Sequence, residues 1–152
     1  MPLTMARRTA YLCRTILLPL SLLLILTAAC EKGRRCGVPI GDATCHIDPN
    51  SPDYPGINNC DGYEYLTGGA NGLVVVRIGF NEFACYERSC PQDTGLLSMA
   101  DGYGNIVLQC PKCQSQFNTF DNGSPLEGSR THCFLYQYST YYDGQTLFIS
   151  NY

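Results

Sequence analysis

Tryptophan is absent from this chain of 152 residues, and histidine occurs only twice, as His46 and His132. Charged residues make up 15 % of the total, well under the roughly 25 % of an average soluble chain. That scarcity excludes a coiled coil, a charged disordered tail and a basic nucleic-acid binder. The glycines follow no collagen period, and no internal repeat or low-complexity tract is present. After residue 30 no stretch keeps a 3.6-residue apolar period over ten residues, so long amphipathic helices are excluded as well. No Ser-His-Asp set, glycine-rich phosphate loop or paired-carboxylate motif stands out. What remains is 45 % hydrophobic and 11 % aromatic, enough for one small core in about one domain's length. Ten cysteines are the outlier.

An apolar run long enough to span a bilayer is missing too. The uncharged, leucine-rich stretch Ile16–Ala29 holds 14 residues, short of the ~20 a spanning helix needs, and Pro19 interrupts it. With Arg7, Arg8 and Arg14 ahead of it, it reads as the central part of a secretory signal. It ends Leu26-Thr27-Ala28-Ala29-Cys30, which resembles the lipobox of bacterial lipoproteins, with Thr27 where that family prefers leucine. The resemblance implies that residues 1–29 are removed and that Cys30 is lipidated, tethering an extracytoplasmic protein to a membrane, on a face the sequence does not reveal. An ordinary cleaved signal and an uncleaved anchor are the alternatives.

Beyond the signal, seven basic residues face thirteen acidic ones, a net charge of −6. That balance argues against nucleic acid and against charge-driven binding to anionic headgroups. Eight cysteines remain once Cys13 and Cys30 are set aside: 36, 45, 60, 85, 90, 110, 113 and 133. In an oxidising compartment an even number points to disulfides, with metal ligation as the competing use. Cys36, Cys45, Cys60 and Cys133 read as structural bridges. At least one of Cys36, Cys45 and Cys60 is expected to be bridged, because their segment lacks a core of its own.

The chain after the signal reads as all-β. Leu73–Ile78 is a β-branched run bounded by glycines, and Glu82–Tyr86 follows after a break. Asn105–Gln109 is another short strand. Phe134–Tyr142 and Gln145–Ser150 flank Asp143-Gly144, a hairpin signal. The expected architecture is a small sandwich or barrel of six or so strands. Residues 30–68, with four prolines, read as the anchor and an extended lead-in with a possible edge strand at Thr44–Ile47, and residues 69–152 as the domain proper. The tyrosines at 136, 138, 141 and 142 read as strand packing and an edge, with stacking on a sugar or peptide left open.

Two cysteine groups each follow a predicted strand: Cys90-Pro91-Gln92, then, after Cys110-Pro111-Lys112-Cys113, the segment Gln114-Ser115-Gln116-Phe117. Two such loops can meet at one tip of a small β domain. After them come Gly123, Leu135, Tyr138 and the Asp143-Gly144 hairpin. This order resembles the Rieske iron-sulfur domain over about residues 70–150. The resemblance implies a Rieske-like all-β fold, a 2Fe-2S cluster at the tip and an electron-transfer role with an unknown redox or protein partner. Carried over by position, it makes Cys90, Cys110 and Cys113 the candidate cofactor and metal ligands.

The departures are in the ligands. The family pairs two cysteines with two histidines. Here Gln92 and Cys113 stand at the histidine positions, and the covering loop, Ser129–Phe134, has no proline. The fourth ligand is left open among Gln92, Cys85 and His132. With thiolate in place of imidazole, a cluster would become more negative. Its potential would leave the Rieske range of roughly −150 to +300 mV and move toward the roughly −400 mV of plant-type ferredoxins.

The same cysteines support other readings. Cys85 and Cys90 at C-x4-C, with Cys110 and Cys113 at C-x2-C, fit a zinc or rubredoxin-like iron site, although Cys85 lies inside a predicted strand. Cys110-Pro111-Lys112-Cys113 resembles a thioredoxin-like redox pair, but no helix follows it. A disulfide between the loops would give a metal-free module for binding a partner, the staple contributing ~3 kcal/mol for a loop of about twenty residues.

Overall fold

The structure is a computed structural model in which residues 36–151 are described; the signal segment 1–29 and Cys30 lie outside them. All the described residues belong to one unit. Ten strands are present: β1 Cys45–Ile47, β2 Tyr63–Leu66, β3 Leu73–Arg77, β4 Phe83–Glu87, β5 Ser98–Met99, β6 Val107–Gln109, β7 Gln116–Asn118, β8 Ser124–Pro125, β9 Gln137–Tyr142 and β10 Leu147–Ser150. A single 3-10 turn, Pro55–Ile57, is the one helical element among the described residues, and none there is long and apolar enough to cross a membrane. The strands form two antiparallel sheets, one of six in the order β1-β10-β9-β4-β3-β2 and one of four in the order β5-β6-β7-β8.

Strands β3 and β4 are buried along their whole length, which explains the unbroken Leu-Val-Val-Val run. A strand covered on one side would alternate with polar residues; one covered on both need not. Their two faces serve two cores, because successive side chains point opposite ways. Val74, Val76, Ala84 and Tyr86 pack with Leu97, Leu108, Phe117 and Leu135. Leu73, Val75, Phe83 and Cys85 pack with Ile57, Tyr138, Leu147 and Ile149.

The six-stranded sheet extends past the expected boundary at residue 69. Both of its edges come from the segment read as a lead-in: β1 pairs with β10, and β2 pairs with β3. Buried Arg77 holds that segment in place. Its guanidinium donates to the carbonyls of Ile57 and Asn58 at 3.2 and 3.0 Å and to Phe80 O at 2.7 Å, and it stacks 5.2 Å from the Phe83 ring. The expected strands Leu73–Ile78, Glu82–Tyr86, Asn105–Gln109, Phe134–Tyr142 and Gln145–Ser150 appear as β3, β4, β6, β9 and β10 with one to three residues trimmed or shifted. β2, β5 and β8 correspond to no expected strand.

Two polar clips join the parts. Arg88 lies 3.8 Å above the Tyr65 ring and donates from Nε to Leu97 O, while Tyr65 Oη accepts from Met99 N at 2.8 Å. These contacts fasten β2 to the start of the four-stranded sheet. Glu87 is fully buried at the end of β4 and accepts from Ala70 N, Asn71 N, Ser89 N, Ser89 Oγ and Tyr138 Oη at 2.7–3.2 Å. Cys36 and Cys133 form a disulfide, so one of the three lead-in cysteines is bridged as expected, whereas Cys45, Cys60 and Cys85 are free.

Candidate metal centre

The tip is built by two six-residue loops with matching backbones. A bridge between Ser89 and Leu96 closes the loop Cys90–Gly95. The β6–β7 pair Gln109 and Gln116 closes the loop Cys110–Ser115. In the first, Cys90 N donates to Gly95 O at 2.8 Å and Thr94 N to Cys90 O at 2.9 Å. In the second, Cys110 N donates to Ser115 O at 3.0 Å and Gln114 N to Cys110 O at 2.9 Å. The fifth residue of each loop is left-handed, with φ of +57° at Thr94 and +62° at Gln114. Proline follows the first cysteine in both, where its missing N–H leaves no ladder bond unmade. Asp93 therefore occupies in the first loop the position that Cys113 occupies in the second.

The side chains cross between loops in the same reciprocal way. Cys90 Sγ lies 3.6 Å from Cys113 Sγ, and Cys110 Sγ lies 3.2 Å from Asp93 Oδ1. One donor atom from each of Cys90, Asp93, Cys110 and Cys113 lies within 4.8 Å of every other. The three cysteines are buried against the core of Leu97, Leu108 and Leu135. Burial pushes the thiols of Cys90 and Cys110 up, and the Asp93 carboxylate adds to the shift at Cys110. Burial acts the same way on Cys113, but hydrogen bonds from the Ser115 hydroxyl and backbone, with those from Cys90 and Cys110, together outweigh it and hold that thiol below its ordinary value. Ser115 Oγ lies 3.2 Å from Cys113 Sγ and accepts from Arg130 N at 3.0 Å. The protonated thiol donates to that oxygen, and once ionised it can accept from the same hydroxyl. Asp93 is lowered by the Gly95 N–H, which reaches Oδ1 at 2.9 Å.

Gly95 is where the loop comes closest to the donors. A β-carbon there would sit 2.7 Å from Cys110 Sγ and 3.0 Å from Asp93 Oδ1. Gly95→Ala is expected to cost about 1–3 kcal/mol through this overpacking, read as a lowered melting temperature. An unchanged melting temperature would show that the loop has slack at this point.

The structure thus brings together the three cysteines singled out from the sequence and leaves aside every candidate considered for a fourth ligand. Gln92 is exposed. Cys85 points from β4 into the opposite core, beside Tyr138 and Leu147. His132 is exposed on the covering loop, and His46 stands on β1 against Phe148. Neither histidine joins the donor group, so these residues do not fit a histidine-ligated two-iron cluster. Asp93 went unnoticed because the C-x-H pattern of the resemblance points to Gln92, one residue earlier. The signal was present as an echo, Cys-Pro-x-Asp against Cys-Pro-x-Cys, too short to count as a repeat until the hydrogen bonds align it.

No known protein family matches the sequence, and no curated protein matches it either. Among solved structures, the fold is similar to the ferredoxin of carbazole 1,9a-dioxygenase from Nocardioides aromaticivorans IC177. The TM-score is 0.50 at 14 % identity, over 70 % of this chain and 98 % of that one. Likeness at that identity speaks for the fold, which is all-β and Rieske-like, and leaves the ligands to be judged from this chain's own residues.

Proposed function

We propose that this chain is an extracytoplasmic metal-binding domain of Rieske-like shape, tethered to a bacterial membrane by lipid on Cys30. The observation that carries the metal reading is the donor group itself. Three thiols and a carboxylate converge from two matched loops, and four groups that become anions on ionising belong together when a cation sits among them. No open coordination position or substrate pocket is needed for this reading. The role is binding or structural, with a protein partner outside the membrane.

A second reading is an electron carrier with a 2Fe-2S cluster on the same donors, favoured by the likeness in fold to a ferredoxin. Metal content of protein purified without oxygen tests the shared premise: a metal-free protein with fully reduced thiols that also takes up no added metal ends both readings. The tether has its own test. Cys30→Ser is expected to abolish fatty-acid labelling and to move the protein from the membrane pellet to the soluble fraction. A variant that still labels and still sediments removes the lipoprotein reading.

A further inference from the structure

Resting on that metal-binding reading, we infer that the tip is made for one divalent ion of the zinc class, held tetrahedrally by Cys90, Asp93, Cys110 and Cys113, and not for a two-iron cluster.

Distance comes first. A tetrahedral ion with metal–sulfur bonds of about 2.3 Å holds its sulfurs about 3.8 Å apart. The cross-loop pairs here stand at 3.6 and 3.2 Å, and no pair of donor atoms in the group exceeds 4.8 Å. A two-iron cluster divides its protein donors into two pairs, one per iron, with bridging sulfides between. Here the donors of the two close pairs, Cys90–Cys113 and Cys110–Asp93, also stay within 4.8 Å of each other, closer than donors on two sulfide-bridged irons would stand. Each loop gives its first and fourth residues, and each first residue meets the other loop's fourth, which is the arrangement of two matched loops closing on a single centre.

Donor chemistry agrees. Three soft thiolates with one carboxylate oxygen suit an ion that accepts sulfur and oxygen alike and has no geometric preference from its d-electrons. All four positions are supplied by the protein, the mark of a structural site. On binding, the thiols release their protons to solvent. A disulfide satisfies the same residues less well: a Cys90–Cys113 bridge would use two sulfurs and leave the third buried against a carboxylate.

The ion has a task to perform. The strands of the smaller sheet are two or three residues long, too short to be stable alone. A centre joining Cys90, at the exit of β4, to Cys110 and Cys113, between β6 and β7, would hold that sheet onto the larger one.

The test uses the full chain purified without oxygen and offered Zn2+ or, separately, Fe2+ with sulfide. One zinc per chain with no retained sulfide is expected. Asp93→Asn can still accept the Gly95 N–H and so keeps the loop, but it should weaken zinc binding by roughly 100-fold, since groups one layer behind the ligands already cost about 10–100-fold. Asp93→Cys should keep one ion per chain. Removing zinc should expose amides of residues 89–130 to hydrogen exchange while β3, β4 and β9 stay protected. Two irons with sulfide would overturn this inference and leave the metal-binding reading standing. One sulfide-free iron held in preference to zinc would overturn the zinc assignment. Unchanged zinc affinity in Asp93→Asn would remove Asp93 as a ligand. No metal, with Cys90 and Cys113 in a disulfide, would end both the inference and the reading beneath it.

Discussion

Glu87→Ala is expected to destabilise the protein by about 3–5 kcal/mol, because five hydrogen-bond donors lose their acceptor at a fully buried position. The carboxylate ties three parts of the chain together: the turn at Ala70-Asn71, Ser89 ahead of the first cysteine loop, and Tyr138 on β9. Ala70 and Asn71 can find water when it is lost, whereas Tyr138 and Ser89 are buried. Tyr138→Phe removes one charge-assisted bond and should cost about 1.5–3 kcal/mol. In the double variant the two losses should not add, since they share a bond. Urea unfolding measures all three, and a loss under 1 kcal/mol for Glu87→Ala would mean that water replaces the carboxylate, a result at odds with full burial. The contact also reaches the tip, because Ser89 immediately precedes Cys90.

A second large loss is expected when Cys36 and Cys133 are both replaced by alanine. The disulfide links residues 97 apart in sequence, and closing a loop near that length restricts the unfolded chain by about 4.7 kcal/mol in the chain-entropy picture. The denaturant midpoints of the double variant and of the reduced parent should agree, and both should lie below that of the oxidised parent. If the double variant keeps its parent's midpoint, the bridge contributes nothing to stability, and residue 36 must be held by other contacts. Because a thiol reductant would also compete for a metal at the tip, the double variant is the cleaner of the two measurements.

The sequence disclosed its central strands for a physical reason. Leu73–Arg77 is buried on both faces and must be apolar throughout, and Asp143-Gly144 can turn a chain tightly, with Gly144 at φ +103°. Tyr63–Leu66 stayed hidden because it is an edge strand of half-buried residues inside a segment whose prolines and glycines argue for an extended strap. β5 and β8, of two residues each, are fixed by pairing with the neighbouring strands β6 and β7 and are too short to carry a periodic signal of their own. At the tip, cysteine spacing was enough to find the three thiols. The carboxylate was not found, since an aspartate in a loop is ordinary until the second loop places Cys110 across from it.

The bridge between Cys36 and Cys133 also decides where a mechanical load would enter the fold. A pull on the chain ahead of Cys36 passes through the disulfide into the covering loop, where Ser129 bonds Gln116 and Arg130 bonds Ser115. Tension is therefore delivered beside the cysteine tip, where a bound ion would resist it. Once the bridge is reduced, the same pull reaches Gly41–Ala43, bonded to Gly69 and Asn151, and then β1, whose three residues are paired to β10 alone. The disulfide thus acts as a strain relief, moving the load from an edge of the larger sheet to the loop bonded over the smaller one.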